Sequence, residues 1–431
     1  MIPRPPIAPP PPWAFPLPEI TTLEAGLAVW AYDLPGQLIL ACDLVMELPL
    51  DAEPADREGV ATIAVRCLDE GTLAHPGQEF ALALEDAGAQ FSGHIGLSTA
   101  QCLLGLPYDS LDAGLALLAE AASAPAYDEA DVARIKANRL SEIEQQESRG
   151  SYVASSALRR AVLDETLRIA RPLGGTQEGV ATIQPADVAA FHARHYRARE
   201  ATLIIAGDLS GIDAADAAAR AFAGWNPDTE PVRPVPAAPG AGGRTLIHRD
   251  GAVQADVRFG WYGIDRRDPR WAGLQVALTI MGGSFDSRLN TVLREERGFT
   301  YGVSMNAHPF RHGGMIDIST ATRTEAAPDL IEETLRILEA AEPFSEAEVA
   351  GAIGYLTMSA PLSLDTAEAI ASQAATLAAG RLDLDHVTTS LADLARVTPA
   401  SAMDAYRSLV DPGTASIVVV ADRGELGELS L

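Results

Sequence analysis

The stretches that decide the fold are IQPADVAAFHARHYRAREATLIIAGD, residues 183–208, and VTPASAMDAYRSLVDPGTASIVVVAD, residues 397–422. They carry one pattern twice, at an offset that aligns Pro185 with Pro399 and ends both stretches in aspartate. In each copy a proline in the first helical turn opens an amphipathic helix, and an apolar, β-branched strand follows. The chain therefore contains an internal repeat of about half its length.

Other segments repeat at nearly the same offset. Apolar stripes with i, i+4, i+7 spacing mark one helix in each half: Leu111, Leu115 and Leu118, then Ile331, Leu335 and Leu338. The next helix of each half is predicted to begin after a capping residue, Asp128 or Ser345. Each half is also predicted to open with a β-hairpin, which turns at Pro35-Gly36 in the first half and at Asp250-Gly251 in the second.

These repeats predict an α+β fold of two homologous halves, each a largely antiparallel sheet with helices packed on one side. Two such halves joined by a linker are expected to face each other around a cavity. We predict a proline-rich N-terminal arm (residues 1–18), a first domain (19–226), a linker (227–244) and a second domain (245–431). The arm and the linker are assigned because they are rich in proline or glycine and lack periodicity.

The composition limits the partners and the compartment. The formal net charge is −27, from 32 basic and 59 acidic residues, so the protein repels a phosphate backbone and nucleic-acid binding is not expected. No run of about 18 apolar residues is present, which argues against a membrane span. Cys42, Cys67 and Cys102 lie far apart in apolar runs and are predicted to be buried free thiols. A cytoplasmic protein is expected, because the N-terminus has no apolar signal core.

Two further segments, taken with the repeat, resemble known enzymes. They are GVATIAVRCLDEGT, residues 59–72, and MGGSFDSRLNTVLREERGFTYGV, residues 281–303. From about residue 20 to residue 422, the chain resembles the insulinase or pitrilysin-type metallopeptidases, in the form of the small bacterial two-domain members. That family binds zinc through an inverted motif, His-x-x-Glu-His, on a helix of the first half, together with a later glutamate.

The inverted motif would fall on Thr62, Val65 and Arg66 of this sequence. Threonine is a poor zinc ligand, valine cannot accept a proton from water, and a guanidinium repels the cation. The later glutamate corresponds to Glu142, which we interpret as a remnant that can pair with Arg66. The resemblance therefore implies that this chain itself binds no catalytic zinc.

Other histidines do not replace the lost motif. His192 and His195 lie three positions apart, and His308 and His312 lie four apart, but neither pair has a well-placed glutamate. A proline between the second pair also disfavours a helix there. His94 is a single strand histidine, and all five are interpreted as structural or surface residues.

The second half keeps a motif of a different kind, LREERGFTYGV, residues 293–303. The resemblance assigns Arg297 to binding a substrate carbonyl or carboxylate, and Tyr301 to stabilising the oxyanion that forms when water attacks a peptide. It also assigns Gly282 and Gly283 to close backbone approach at the substrate-binding site. The structural alternative is a helix that ends at a glycine C-cap, followed by an ordinary strand tyrosine.

The resemblance implies the non-zinc, substrate-binding subunit of a heterodimeric zinc metallopeptidase that cleaves peptides. Its partner is expected to be a homologous subunit that carries zinc and His-x-x-Glu-His, and the isolated chain is expected to be inactive. The alternative is a catalytically inactive scaffold or a solitary peptide-binding relative. The preserved arginine and tyrosine favour the first hypothesis, because a scaffold has no oxyanion to stabilise.

Overall fold

The structure, a computed structural model, describes residues 13–225 and 233–426. In the first half the strands are β1 (Glu19–Thr22), β2 (Ala28–Asp33), β3 (Ile39–Glu47), β4 (Gln90–Ile95), β5 (Thr99–Pro107) and β6 (Thr202–Gly207). The helices there are α1 (Val60–Arg66), α2 (Gln78–Asp86), α3 (Leu111–Ser123), α4 (Glu129–Glu147), α5 (Gly150–Val162), α6 (Gln177–Thr182), α7 (Pro185–His195) and α8 (Ala214–Ala221).

Apart from β1 and α8, the second half repeats this order of elements. Its strands are β7 (Arg244–His248), β8 (Gln254–Gly263), β9 (Val303–Phe310), β10 (Gly313–Arg323) and β11 (Ser416–Ala421). Its α-helices are α9 (Trp271–Leu278), α10 (Arg288–Asn290), α11 (Ala327–Glu339), α12 (Glu346–Ser363), α13 (Ala367–Gly380), α14 (His386–Leu394) and α15 (Pro399–Leu409). Two π-helical segments, Thr279–Gly283 and Thr291–Glu296, continue α9 and α10. Asp128 and Ser345 cap α4 and α12 with their side chains, as predicted.

Each half forms one sheet, and the two sheets have the same topology except that the first has an additional edge strand, β1. In the described residues the strand orders are β1-β2-β6-β3-β5-β4 and β7-β11-β8-β10-β9. Neighbouring strands are antiparallel except for β2 with β6 and β7 with β11, which are parallel. The predicted α+β class and the two homologous halves are therefore confirmed.

The predicted hairpins are wrong in their pairing. Turns form at Gly36 and Gly251, both with positive φ, but β6 lies between β2 and β3, and β11 lies between β7 and β8. The reason is burial: β6 and β11 are apolar on both faces, and only a central position buries both faces of a strand. The repeated aspartates hold this arrangement, because Asp208 and Asp422 accept hydrogen bonds from the amides of Gly36 and Gly251 at 2.7 and 2.8 Å.

Each sheet packs helices of its own half on one face and one helix of the other half on the opposite face. The helix α13 packs on β3 and β6 of the first sheet, where Ala371 and Ala374 lie with Ile204 in one buried cluster. The equivalent helix α5 packs on β8 and β11 of the second sheet, and its Leu158 lies against Gly260. Each half thus packs one of its helices on the sheet of the other half. The sequence did not predict this arrangement.

Residues of the arm and of the linker pack against the two halves or form hydrogen bonds with them. Residues 1–12 and 227–232 lie outside the described residues. Phe15 of the arm is buried in the cluster with α13, and its amide donates to Thr388 Oγ1 at 3.1 Å. In the linker, the Gly240 amide donates to the carbonyl of Val162, at the end of α5, at 2.8 Å. A cavity of about 860 Å³ lies between α5 and this part of the linker.

Candidate functional site

The helix that carries the degenerate motif, α1, is preceded by the N-cap residue Gly59, whose φ is +102°. A side chain there would collide with Gly174 and Val180, so the close approach requires glycine. Val60, Ile63, Cys67 and Leu68 are all buried. The helix therefore keeps its packing although its metal ligands are missing.

Arg66 and Glu142 form the predicted pair. Arg66 Nη1 lies 2.8 Å from both carboxylate oxygens of Glu142, and Arg139 Nη1 lies 3.0 Å from Oε2. Burial raises the pKa of Glu142, but the hydrogen bonds from Arg66 and Arg139 outweigh burial and leave this pKa below its usual value. Glu142 is therefore ionised, and both of its carboxylate oxygens accept hydrogen bonds from arginine.

This arrangement does not fit zinc. The Arg66 guanidinium occupies the side of Glu142 that a metal would need, and Thr62 and Val65 supply no imidazole or carboxylate. Within residues 13–225 and 233–426, no group of three or more His, Cys, Asp or Glu residues is arranged to hold a metal ion. We therefore derive no reaction step through a metal held by this chain.

The five histidines singled out in the sequence differ in their surroundings. Burial lowers the pKa of both His192 and His195 to about 4, so both rings are neutral near pH 7. His192 contacts the Ala122 carbonyl at 3.0 Å through Nε2, while His308 Nε2 lies 2.6 Å from Asp317 Oδ1. His94 and His312 line two separate cavities.

The second-half motif lies at the end of the segment Thr291–Glu296. Gly298 has a φ of +62° and the Phe299 amide donates to the Leu293 carbonyl, so the glycine C-cap of the structural alternative does form. The loop that follows is tied to β10, because Thr322 Oγ1 donates to the Phe299 carbonyl at 2.7 Å and Thr320 Oγ1 to the Gly302 carbonyl at 3.0 Å.

Tyr301 differs from an ordinary strand tyrosine. It lies before β9 in the tied loop and is 95% exposed. Arg297 is also exposed, and its Nη2 lies 3.1 Å from Glu333 Oε1 on α11. A hydrogen bond from Arg336, with a further contribution from Arg297, lowers the pKa of Glu333 to about 2 despite the opposing effect of burial. Glu333 therefore stays ionised and orients Arg297.

The glycine pair has a packing role in this structure. A Cβ at Gly282 would lie 2.6 Å from Met305 Cβ in β9, so only glycine permits this approach. Gly283 is exposed beside it, and a Cβ there would lie 3.2 Å from the Leu278 carbonyl. The predicted role of both residues at the substrate stays a prediction.

The structure does not join the two predicted sites by direct contact. Among the described residues, Arg297 pairs with Glu333, whereas Glu142 pairs with Arg66 and Arg139. The sequence pattern alone does not single out Arg139, Arg159 or Asp43. The one available signal was Asp43 within the apolar strand ILACDLVME, residues 39–47.

Comparisons with known proteins agree with this fold. Residues 182–356 match the family model described as the peptidase M16 inactive domain. An uncharacterized zinc protease of Rickettsia bellii is 23% identical over 331 residues, which cover 74% of this chain and 78% of that protein.

Solved structures are similar over nearly the whole chain. The peptidase M16 inactive domain from Pseudomonas fluorescens has a TM-score of 0.85 at 23% identity and covers 94% of this chain and 97% of its own. A protease from Helicobacter pylori has the same TM-score at 14% identity, covering 94% of this chain and all (100%) of its own. These solved structures are less than 25% identical to the chain and support its fold alone. The family model that matches residues 182–356 is the one described for the inactive domain.

Two predictions from composition can also be compared with the structure. The three cysteines are buried and free, as predicted. Among the helices that the structure describes, none is long and apolar enough to cross a bilayer.

Proposed function

We propose that this chain is the non-zinc, substrate-binding subunit of a cytoplasmic, heterodimeric zinc peptidase. Its partner would be a homologous chain that holds zinc with His-x-x-Glu-His, and the two chains together would cleave peptides. The observation that carries the proposal is the exposure of Tyr301 on a loop tied to β10. An oxyanion donor must be fixed in place and must point at a site where charge develops.

The chemistry divides between the two chains. The partner's zinc would polarise the scissile carbonyl and activate water. Tyr301 would donate its hydroxyl proton in a hydrogen bond to the oxyanion, and Arg297 would bind a neighbouring carbonyl or carboxylate of the peptide. The hydrogen bond that Arg297 donates to Glu333 keeps the guanidinium oriented before the substrate arrives.

A second feature supports a protein partner. Tyr355, Met358 and Leu362 are largely exposed, and their spacing places them on one face of α12. Exposed apolar groups arranged on one face are typical of surfaces that another chain covers. The charge of −27 also favours basic over acidic segments near such a surface.

An inactive scaffold is the second candidate. It is favoured by the match to the inactive-domain family model and by the lack of a metal-holding group in the described part of the chain. The two candidates differ in what Tyr301 must do, because a scaffold needs no exposed hydroxyl on a fixed loop.

The first experiment is co-purification of the chain from its native lysate, with mass spectrometry of whatever is bound in equal amounts. We expect a homologous chain with His-x-x-Glu-His, and a zinc-dependent peptidase activity that needs both chains. Recovery of this chain only as a monomer or homodimer would contradict the heterodimer. A stable complex with an intact zinc motif but no peptidase activity would instead support the scaffold.

A further inference from the structure

A cavity of about 450 Å³ lies where the family's zinc site would be, between α1, β4 and α5. Its charged lining is cationic, with the guanidinium groups of Arg66, Arg139 and Arg159 and the ring of His94. None of the described residues that line it is acidic. A chain with a net charge of −27 thus carries a cluster of positive charge in this cavity.

The positive charge is only partly compensated. Glu142 balances one charge of the Arg66 and Arg139 pair. Among the described residues, Arg159 has no carboxylate partner. It donates to the Ile169 carbonyl at 3.1 Å, and its Cζ lies 5.6 Å from the centre of the Phe310 ring. Burial lowers the pKa of Arg159. A cation removed from water without a counter-charge is unfavourable, so an anion in the cavity would stabilise it.

Neutral hydrogen-bond donors also line the cavity. Thr62 is 7% exposed, and its Oγ1 is buried with no hydrogen-bond partner among the described residues. Tyr152 and Ser156 add two more hydroxyl groups to the wall. An unpartnered buried hydroxyl beside guanidinium groups is suited to donate to the second oxygen of a small anion.

We propose that this cavity binds the carboxylate of a peptide, with Arg159 as the principal cation and Arg66 and Thr62 as neighbouring donors. Planar guanidinium groups match the two oxygens of a carboxylate, and the volume lies in the range of small-ligand sites. The choice of a peptide as the ligand rests on the proposed function, whereas the cationic cavity does not. The substitution of Arg66 at the zinc position thus replaces a cation-binding site by an anion-binding one.

The test is isothermal titration calorimetry on the purified full chain, without partner or zinc. The probes are N-acetyl-trialanine with a free carboxylate, its C-terminal amide, and inorganic phosphate. We expect the free acid to bind at least about tenfold more tightly than the amide, because a charge-assisted hydrogen bond contributes at least that much. Equal binding of acid and amide, no binding of either, or tighter binding of phosphate than of the peptide would overturn the proposal.

Two variants are expected to act in opposite directions. Arg159→Gln removes the uncompensated cation and should weaken binding of the free acid about tenfold. Glu142→Gln releases Arg66 and Arg139 from their carboxylate and should strengthen it by about threefold or more. Arg160→Gln is the matched control, because Arg160 is the next residue of α5, is exposed, and lines a different cavity. It should leave the affinity unchanged.

Circular dichroism establishes that each variant is folded. If Arg159→Gln does not fold, Glu142→Gln decides, and unchanged or weaker binding in that variant would count against the proposal. A purely structural role of Arg159 would not predict tighter binding on loss of Glu142. Because the assay contains neither the partner nor zinc, its failure is separate from a failure of the heterodimer.

Discussion

Asp43 offers a sharp test of the packing between the first sheet and α13. The residue lies in the middle of β3, is 1% exposed, and neither of its carboxylate oxygens has a hydrogen-bond partner in the described residues. Burial raises its pKa from 3.8 to about 7. The replacement Asp43→Asn keeps the shape and removes the ionisation.

The magnitude follows from the two pKa values. The folded protein holds the proton more tightly than the unfolded chain, so the neutral form stabilises the fold at low pH. This stability is fully present below pH 3.8 and is lost as the pH rises through about 7. Since one pKa unit corresponds to about 1.4 kcal/mol, the wild type should lose roughly 2–3 kcal/mol between pH 5 and pH 8 from this group alone.

The assay is urea-induced unfolding of both proteins at several values between pH 5 and pH 8. Other groups titrate in both proteins, so the informative quantity is the difference in unfolding free energy between Asp43→Asn and wild type. This difference should grow in favour of the variant by roughly 2–3 kcal/mol over that interval. Asp109→Asn, at an exposed aspartate, is the control and should show no such growth. A difference for Asp43→Asn that stays constant with pH would refute the reasoning.

Three further predictions concern the motif in each half and the packing between them. Tyr301→Phe should leave partner binding intact and reduce turnover by the reconstituted complex about 10²–10³-fold, as is usual for loss of one oxyanion donor. The combined replacement Thr62→His, Val65→Glu and Arg66→His restores the inverted motif. This variant should bind zinc weakly, because Arg139 stays 3.0 Å from Glu142. Adding Arg139→Gln should raise the zinc affinity about tenfold or more, measured by chelator competition. Gly282→Ala should destabilise the fold by about 1–3 kcal/mol in urea unfolding, because the new Cβ would lie 2.6 Å from Met305 Cβ.

Each of these predictions has a matched control. Tyr108→Phe removes a tyrosine hydroxyl in the first half, which donates to the Ser210 carbonyl, and should leave turnover unchanged. For the zinc variants, the control is Arg160→Gln, which removes a positive charge from α5 instead of α4 and should not raise the zinc affinity. Gly351→Ala, in α12 with open space around it, should stabilise the fold by up to about 1 kcal/mol. The role of Tyr301 would be contradicted by unchanged turnover in Tyr301→Phe. The role of Arg139 would be contradicted by no gain in zinc affinity from Arg139→Gln. Equal effects of the two glycine replacements on the free energy of unfolding would contradict the packing role of Gly282.

Part of the candidate site could be predicted from the sequence because it depends on local chemistry. Thr62, Val65 and Arg66 cannot form a zinc site in any fold. The resemblance, which places the family's later glutamate at Glu142, implied the pair with Arg66 that forms. The cationic cavity could not be predicted, because Arg159 reaches it from α5 and the sequence does not state which arginines share a space. The exposure of Tyr301 also depends on the hydrogen bonds that tie its loop to β10.

The sequence by itself determined the two homologous halves, the helix caps and the apolar strands, because these follow from repeated local patterns and short-range hydrogen bonds. Only the tertiary structure decided that β6 and β11 lie inside their sheets rather than beside a hairpin. Only the tertiary structure decided that α5 and α13 pack on the sheet of the opposite half. Apolar periodicity states that a surface must be buried but not what buries it, since any complementary apolar surface satisfies the hydrophobic effect. The choice among such surfaces is made by the packing of the whole chain.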